Sequence, residues 1–146
     1  MREEWRPAGF GDRWFADLCD AIMGLALAGL AYLLIDKALL HAQAAFLDDA
    51  TCGATQVVLL IWFLWNLTYL VGATGQSWGR MIAGLKVVDA DGDPIGFWRS
   101  LGRNLFAMYV SAPLFYLGFL WVIWDSQKQA WHDKVFRTFV LRRVVL

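Results

Sequence analysis

Several things are scarce in this sequence. Two cysteines in 146 residues, Cys19 and Cys52, are too few for a disulfide-stapled scaffold and lack metal-site spacing, so both read as free thiols. Thirteen Lys and Arg are balanced by thirteen Asp and Glu, so the basic excess that would hold nucleic acid is missing. Charge of either sign is sparse, at 18% of residues against 59% hydrophobic. A soluble domain carries about a quarter charged and about half apolar residues. The first twenty residues hold charge throughout and contain no short apolar run ending at a small-residue site, which reads as no cleavable leader. The length suits one domain, residues 1–146.

The apolar surplus is arranged in runs. Residues 21–35 carry no charge and, with Leu18 and residues 38–40 alongside, reach the roughly 20 residues that a membrane span requires. Residues 57–73 form a second span, with Trp62 and Trp65 inside it and Tyr69 near one end. Residues 104–124 are a third charge-free stretch, interrupted by Pro113 and Gly118. Gly24, Ala28 and Ala31, with Ala26 and Gly29 nearby, line the first span with small residues that let a partner helix approach.

Lys and Arg gather on the cytoplasmic side of a membrane. The N-terminus carries Arg2, Arg6 and Arg13; the second loop carries Arg80, Lys86, Arg99 and Arg103; the C-terminus carries Lys128, Lys134, Arg137, Arg142 and Arg143. The N-terminus and the second loop are therefore expected inside and the first loop outside. A single crossing of 104–124 would leave the basic C-terminus outside. A re-entrant hairpin turning at Pro113, which breaks the helical ladder and restricts Ala112, would return it. The charge rule favours the re-entrant form over a single kinked span. Residues 85–96 read as a β-hairpin, with Val87 and Val88 in one arm and Asp91-Gly92 at the turn. Residues 138–146 are β-branched, and as a third strand they would stabilise an otherwise marginal hairpin. The expected fold is an all-α membrane protein: a small helical bundle with two full spans, a third Pro-broken segment, re-entrant or kinked, and a small cytoplasmic β-hairpin or three-stranded element.

Candidate functional residues are the charges near lipid. Arg13, Asp17 and Asp20 share one helical stripe at spacings of four and three. Arg13–Asp17 reads as an ordinary pair at the water boundary, worth a few tenths of a kcal/mol. Asp20 lies deeper, against the apolar run, and is expected to face the bundle, pairing with a cation or binding a proton. In residues 72–88, Ser77 is a candidate helix cap; Trp78, Ile82 and Leu85 are expected against the membrane, with Arg80 toward headgroups. The spacing of a phosphate loop is absent there. "DADGDP" fails as a calcium loop: counted from Asp89, its sixth position is Pro94 and its twelfth is Ser100. Asp125, His132 and Asp133 in "WDSQKQAWHDK" offer neither a metal set nor a nucleophile. No cofactor, metal or enzymatic activity is expected.

These segments together resemble the RDD family of bacterial membrane proteins, named for one arginine and two aspartates. "AGFGDRWFADLCDAI" is similar to the family's first helix, with Arg13 at its start and Asp20 seven residues on. "GQSWGRMIAGLKVVDADGDPIGF" resembles its loop, "RSLGRNL" its basic helix start, and "WDSQKQAWHDKVFRTFVL" its closing element, where an Asp precedes a strand. The resemblance makes Asp133 the second family aspartate, with Asp125 the alternative. Bulky Val135, Phe136 and Arg137 stand where the family more often has small residues. The resemblance implies a multi-pass protein of the bacterial plasma membrane, and it implies transport, including sodium–proton exchange, as a possible activity. The expected charge network is a buried Arg13–Asp133 pair, with Asp20 joined to it or taking a second donor such as Arg103. Two roles compete: a small-ion exchanger using Asp20, working as an oligomer; and a non-catalytic module that assembles with copies of itself or with a partner membrane protein.

Overall fold

The computed structural model describes residues 3–40, 47–111 and 117–145. The chain is mostly helical, with one small antiparallel sheet. Strand β1 (Glu3–Pro7) leads into the long helix α1 (Phe10–Leu40). Helix α2 (Leu47–Trp62) continues through a π-helical stretch (Phe63–Leu70) into α3 (Val71–Thr74). Helix α4 (Trp78–Ile82), strand β2 (Leu85–Val88) and helix α5 (Phe97–Phe106) follow. A second π-helical turn (Ala107–Ser111) extends α5. Beyond it lie α6 (Leu117–Leu120), a 3-10 turn (Trp121–Ile123), α7 (Trp131–Val135) and strand β3 (Phe139–Val145).

Two helices are long and apolar enough to cross a membrane, Phe10–Ile35 and Thr51–Thr74. Only 17% and 22% of their most apolar windows are buried within the protein. Their large side chains, among them Leu25, Leu30, Leu60 and Ile61, point outward, as those of a lipid-facing helix do. At 1.5 Å per residue α1 is about 46 Å long, well beyond a hydrocarbon core of about 30 Å. Its charged first turns therefore have room to lie outside the core. The small-residue stripe has two fates. A Cβ at Gly24 would come within 2.8 Å of the Trp62 ring, whereas Gly29 faces open space.

The sheet has strand order β1-β3-β2. β3 pairs antiparallel with both neighbours, Arg6 opposite Arg142 on one side and Val87 opposite Val140 on the other. The expected hairpin does not form. Its first arm is β2, but the Asp89 carboxylate accepts the Asp91 and Asp93 amides, each at 3.0 Å. That turn sends the chain to Gly96, whose amide binds the Gly72 carbonyl at 2.9 Å. The second arm forms no strand; through Gly96 it leads into α5. The C-terminal strand supplies β2's partner, and β1 completes the sheet.

The apolar core lies where the sheet meets the helix ends and comprises Ala8, Ala16, Val71, Leu85, Val87, Ile95 and Val140. Gly75 ends the second span with φ 79°, and its carbonyl accepts the Val87 amide at 2.7 Å, tying span to sheet. β2 and β3 lie side by side, so the segment between them leaves and rejoins the same end of the molecule. Its two arms touch: a Cβ at Gly118 would lie 2.5 Å from the Ser111 hydroxyl. The expected turn at Pro113, and Ala112 before it, fall outside the described residues.

Candidate functional site

Two buried polar centres form where α1 meets the sheet end of the molecule. The first is built around Asp133 in the first turn of α7, whose side chain is fully buried. One carboxylate oxygen accepts from Arg13 Nη1 and from the Ala130 amide at 3.3 Å. The other accepts from Arg103 Nη1 at 3.3 Å and Thr138 Oγ1 at 3.1 Å. Arg13 spends its remaining donors on backbone: Nη2 on the Lys128 carbonyl and Nε on the Ala8 carbonyl at 3.3 Å. Lys128 adopts a left-handed φ of 53°, uncommon for a residue with a Cβ. The guanidinium thus bridges three parts of the chain through α1, the loop before α7, and α7 itself.

Burial would raise the Asp133 carboxyl, but the neighbouring His132, Arg13 and Arg103 overcome it and hold the group well below the usual carboxylate range. Burial pushes His132 down to about 4; Asp133 opposes that shift, while Arg103 and Arg13 add to it. His132 is therefore a neutral imidazole at pH 7, with its Nε2 3.6 Å from Asp133.

The second centre is built around Asp20, about two turns beyond Arg13 on α1. Its carboxylate accepts from Asn66 Nδ2 at 2.7 Å, from the Gly79 amide at 2.8 Å and from the Ser77 hydroxyl. All three donors are neutral. Asn66 closes a ring by accepting the Trp78 amide at 2.9 Å. Ser77 also caps α4, accepting the Arg80 amide at 3.3 Å. Only glycine fits at position 79, because a Cβ there would sit 2.1 Å from the Ala16 carbonyl and 2.8 Å from the Asp20 carboxyl carbon. The close approach wraps the start of α4 around Asp20 and fastens it to both spans.

The candidate residues thus divide into groups. Arg13, Arg103 and Asp133 come together. Asp20 stands apart from them and takes neither arginine. Asp17 does not pair with Arg13 but lies 3.4 Å from Arg80. Arg80 does not reach out to headgroups: its residue is only 8% exposed, because the docking of α4 on α1 folds it inward. Trp78 and Ile82 are exposed, and Leu85 is buried in the core. Asp125 holds its own turn, accepting the Gln127 and Gln129 amides and the Lys134 ammonium. The Lys134 hydrogen bond, foremost, keeps its carboxyl below the ordinary value.

Three participants went unrecognised in the sequence. Asn66 is a lone amide inside an apolar run, a signal that intramembrane polarity alone could have flagged. Thr138 and Gly79 carry no comparable mark. Among the described residues no group of three or more His, Cys, Asp or Glu side chains could hold a metal. Beside both centres lies a cavity of about 670 Å³ lined by Arg13, Asp17, Arg80, Arg103 and His132 among apolar side chains.

The model of the RDD family matches residues 7–137, which include both buried aspartates, Asp20 and Asp133. The chain belongs to the RDD family. Similar sequences occur in several bacteria. It is 35% identical to the proline-rich antigen of Mycobacterium leprae, over 88% of this chain and 58% of that protein. It is 38% identical over 80 residues to the proline-rich antigen homolog of Mycobacterium tuberculosis strain H37Rv, covering 54% of this chain and 33% of the relative. It is 24% identical to the uncharacterized protein YxaI of Bacillus subtilis, over 93% and 97% of the two chains. The RDD chain thus spans little more than half of the Mycobacterium leprae antigen it matches and a third of the Mycobacterium tuberculosis homolog. No solved structure matches it.

Proposed function

We propose that this RDD chain is a non-catalytic integral-membrane module of the bacterial plasma membrane that assembles with further membrane chains, its own copies or a partner. The observation that carries this reading is the use made of the two buried aspartates. Asp20 is engaged by Asn66, Ser77 and Gly79, and Asp133 by Arg13, Arg103, Thr138 and Ala130. Each clamps elements together through protein donors, and neither lines the cavity. What the module offers to other molecules is its outward apolar face on two thin spans. In this reading the sheet end is cytoplasmic: Arg13, Arg80, Arg99, Arg103 and the basic C-terminal segment all belong to it, in keeping with the charge rule. The segment between β2 and β3 enters the membrane face and returns, supported by the contact of Ser111 with Gly118.

A second reading, exchange of protons or sodium at Asp20, is favoured by one observation: its carboxylate is buried in a span among neutral donors only. Ion-driven proton flux in proteoliposomes tests the two. The module reading expects no sodium-dependent flux from well-folded protein and a lowered unfolding midpoint for Asp20→Asn. Sodium-dependent flux that vanishes in a folded Asp20→Asn protein would overturn it in favour of the exchanger. Cross-linking in native membranes, through cysteines placed on the outward face of α1, checks the assembly itself; monomers alone would count against it.

A further inference from the structure

The cavity beside the two centres has a composition that neither clamp explains. Of the charged side chains that line it, Arg13, Arg80 and Arg103 are cations and Asp17 is the carboxylate. Asp133 sits behind the wall and takes Arg13 and Arg103, and Asp17 takes Arg80 at 3.4 Å. Three guanidiniums therefore face two carboxylates, which leaves one positive charge over at the wall. Asp20 does not offset it, since it lies outside the lining and is held by neutral donors.

The hydrogen bonds leave a matching surplus of donors. Among the described residues, Arg80 Nη1 and Arg103 Nε are buried without a hydrogen-bond partner, as is His132 Nδ1. All three residues line the cavity and are at least nine-tenths buried, with relative exposures of 8%, 2% and 6%. A buried polar group without a partner costs about 1–3 kcal/mol, and more when charged. Both arginines line the cavity, so an acceptor entering it meets two guanidiniums with hydrogen-bonding capacity unused. The planar guanidinium suits phosphate and carboxylate oxygens.

The rest of the wall is apolar. Phe10, Phe63, Leu67 and Leu120 line it, and Trp14 and Met108, 58% and 59% exposed, open it toward the outward face of the helices. The volume of about 670 Å³ falls within the range of about 300–1,000 Å³ usual for small-ligand sites. A basic wall joined to an apolar chamber between membrane helices matches the two halves of an anionic lipid.

We infer that this cavity binds the anionic head of an amphiphile, a phosphate or carboxylate oxygen taken by Arg80 and Arg103, with the apolar tail leaving past Trp14 and Met108. The inference does not depend on whether the module has a protein partner. Tryptophan fluorescence of the purified full chain in a neutral detergent would follow titrations with phosphatidylglycerol, phosphatidylcholine of the same acyl chains, and inorganic phosphate. Saturable binding of phosphatidylglycerol but not phosphatidylcholine, weakened at least about tenfold in Arg80→Gln, is the expected result and assigns the lipid as source. Saturable binding of inorganic phosphate with the same loss in Arg80→Gln would keep the anion site and assign a free anion. Should Arg80→Gln fail to fold, Met108→Glu places a carboxylate at the exposed mouth and is expected to weaken the same binding. Absence of saturable binding to any of the three, or equal affinity in wild type and a folded variant, would overturn the inference.

Discussion

Asp133→Asn is the sharpest perturbation of the Asp133 clamp, because it preserves shape while removing the charge. The amide keeps one acceptor oxygen. Its NH2 group must then point at a donor: either Arg13 and the Ala130 amide, or Arg103 and Thr138. Two guanidiniums, with side chains 12% and 3% exposed, are left without a carboxylate. Stranding one partner of a buried ion pair costs about 3–5 kcal/mol, a large fraction of the roughly 5–15 kcal/mol that holds a domain folded. Unfolding in mixed micelles, followed by tryptophan fluorescence, would measure the loss. Asp12→Asn is the control, because Asp12 pairs with Arg142 at the surface, with side chains 27% and 53% exposed, and such pairs are worth about 0–1 kcal/mol. Adding Arg103→Gln to Asp133→Asn should cost less than the two single changes summed, by about 0.5–3 kcal/mol. A loss for Asp133→Asn no larger than that of the Asp12 control, or strict additivity with Arg103→Gln, would refute the clamp.

Three further predictions concern the same end of the molecule. Gly79→Ala should destabilise by about 1–3 kcal/mol through overpacking against the Ala16 carbonyl, whereas Gly29→Ala, with open space around it, should be neutral or stabilising; thermal midpoints of the two variants side by side provide the check. His132 binds its proton more weakly folded, at about 4, than unfolded, at 6.5. Its contribution to stability is therefore full above pH 6.5 and falls as pH drops from 6.5 toward 4, by about 3 kcal/mol in all; a His132→Gln chain that keeps the same slope between pH 7 and 5 would sink the assignment. Arg13→Lys retains the charge but cannot serve Asp133, Lys128 and Ala8 together, so its melting point should fall nearly as far as that of Arg13→Gln.

Much of this architecture was legible because hydropathy and β-branching act locally. The two spans follow from uncharged runs long enough for a bilayer, and β2 and β3 from "LKVV" and "FVLRRVV". β1 was not legible: five residues with a terminal proline show no alternation, and only the exposed side of β3 makes them a strand. The hairpin reading failed at Asp89, whose carboxylate gathers the turn amides and redirects the chain. Among the charges, helical spacing alone pairs Arg13 with Asp17; the buried partner Asp133, 120 residues away, was expected only once the resemblance singled that aspartate out, because local spacing does not encode which acceptor folding brings close. Arg80 looked like an interfacial residue because the stretch around it is amphipathic. Its burial depends on Gly79 meeting α1, a contact between segments that no local pattern encodes.

The position of β3 in the sheet also bears on the order in which the molecule is made. In the sheet, β1 and β2 are not paired with each other; each pairs with β3. β3 is translated after both spans, and Asp133 comes only shortly before it. While the spans are emerging and entering the bilayer, no sheet can exist, and Arg13 and Arg103 have no carboxylate to receive them. Membrane insertion of the two apolar helices and closure of the sheet end are thus separate events in time. Until closure occurs, β1 and β2 are unpaired segments and Arg13 and Arg103 lack their carboxylate, a state in which a quality-control protease or a neighbouring copy would meet exposed backbone.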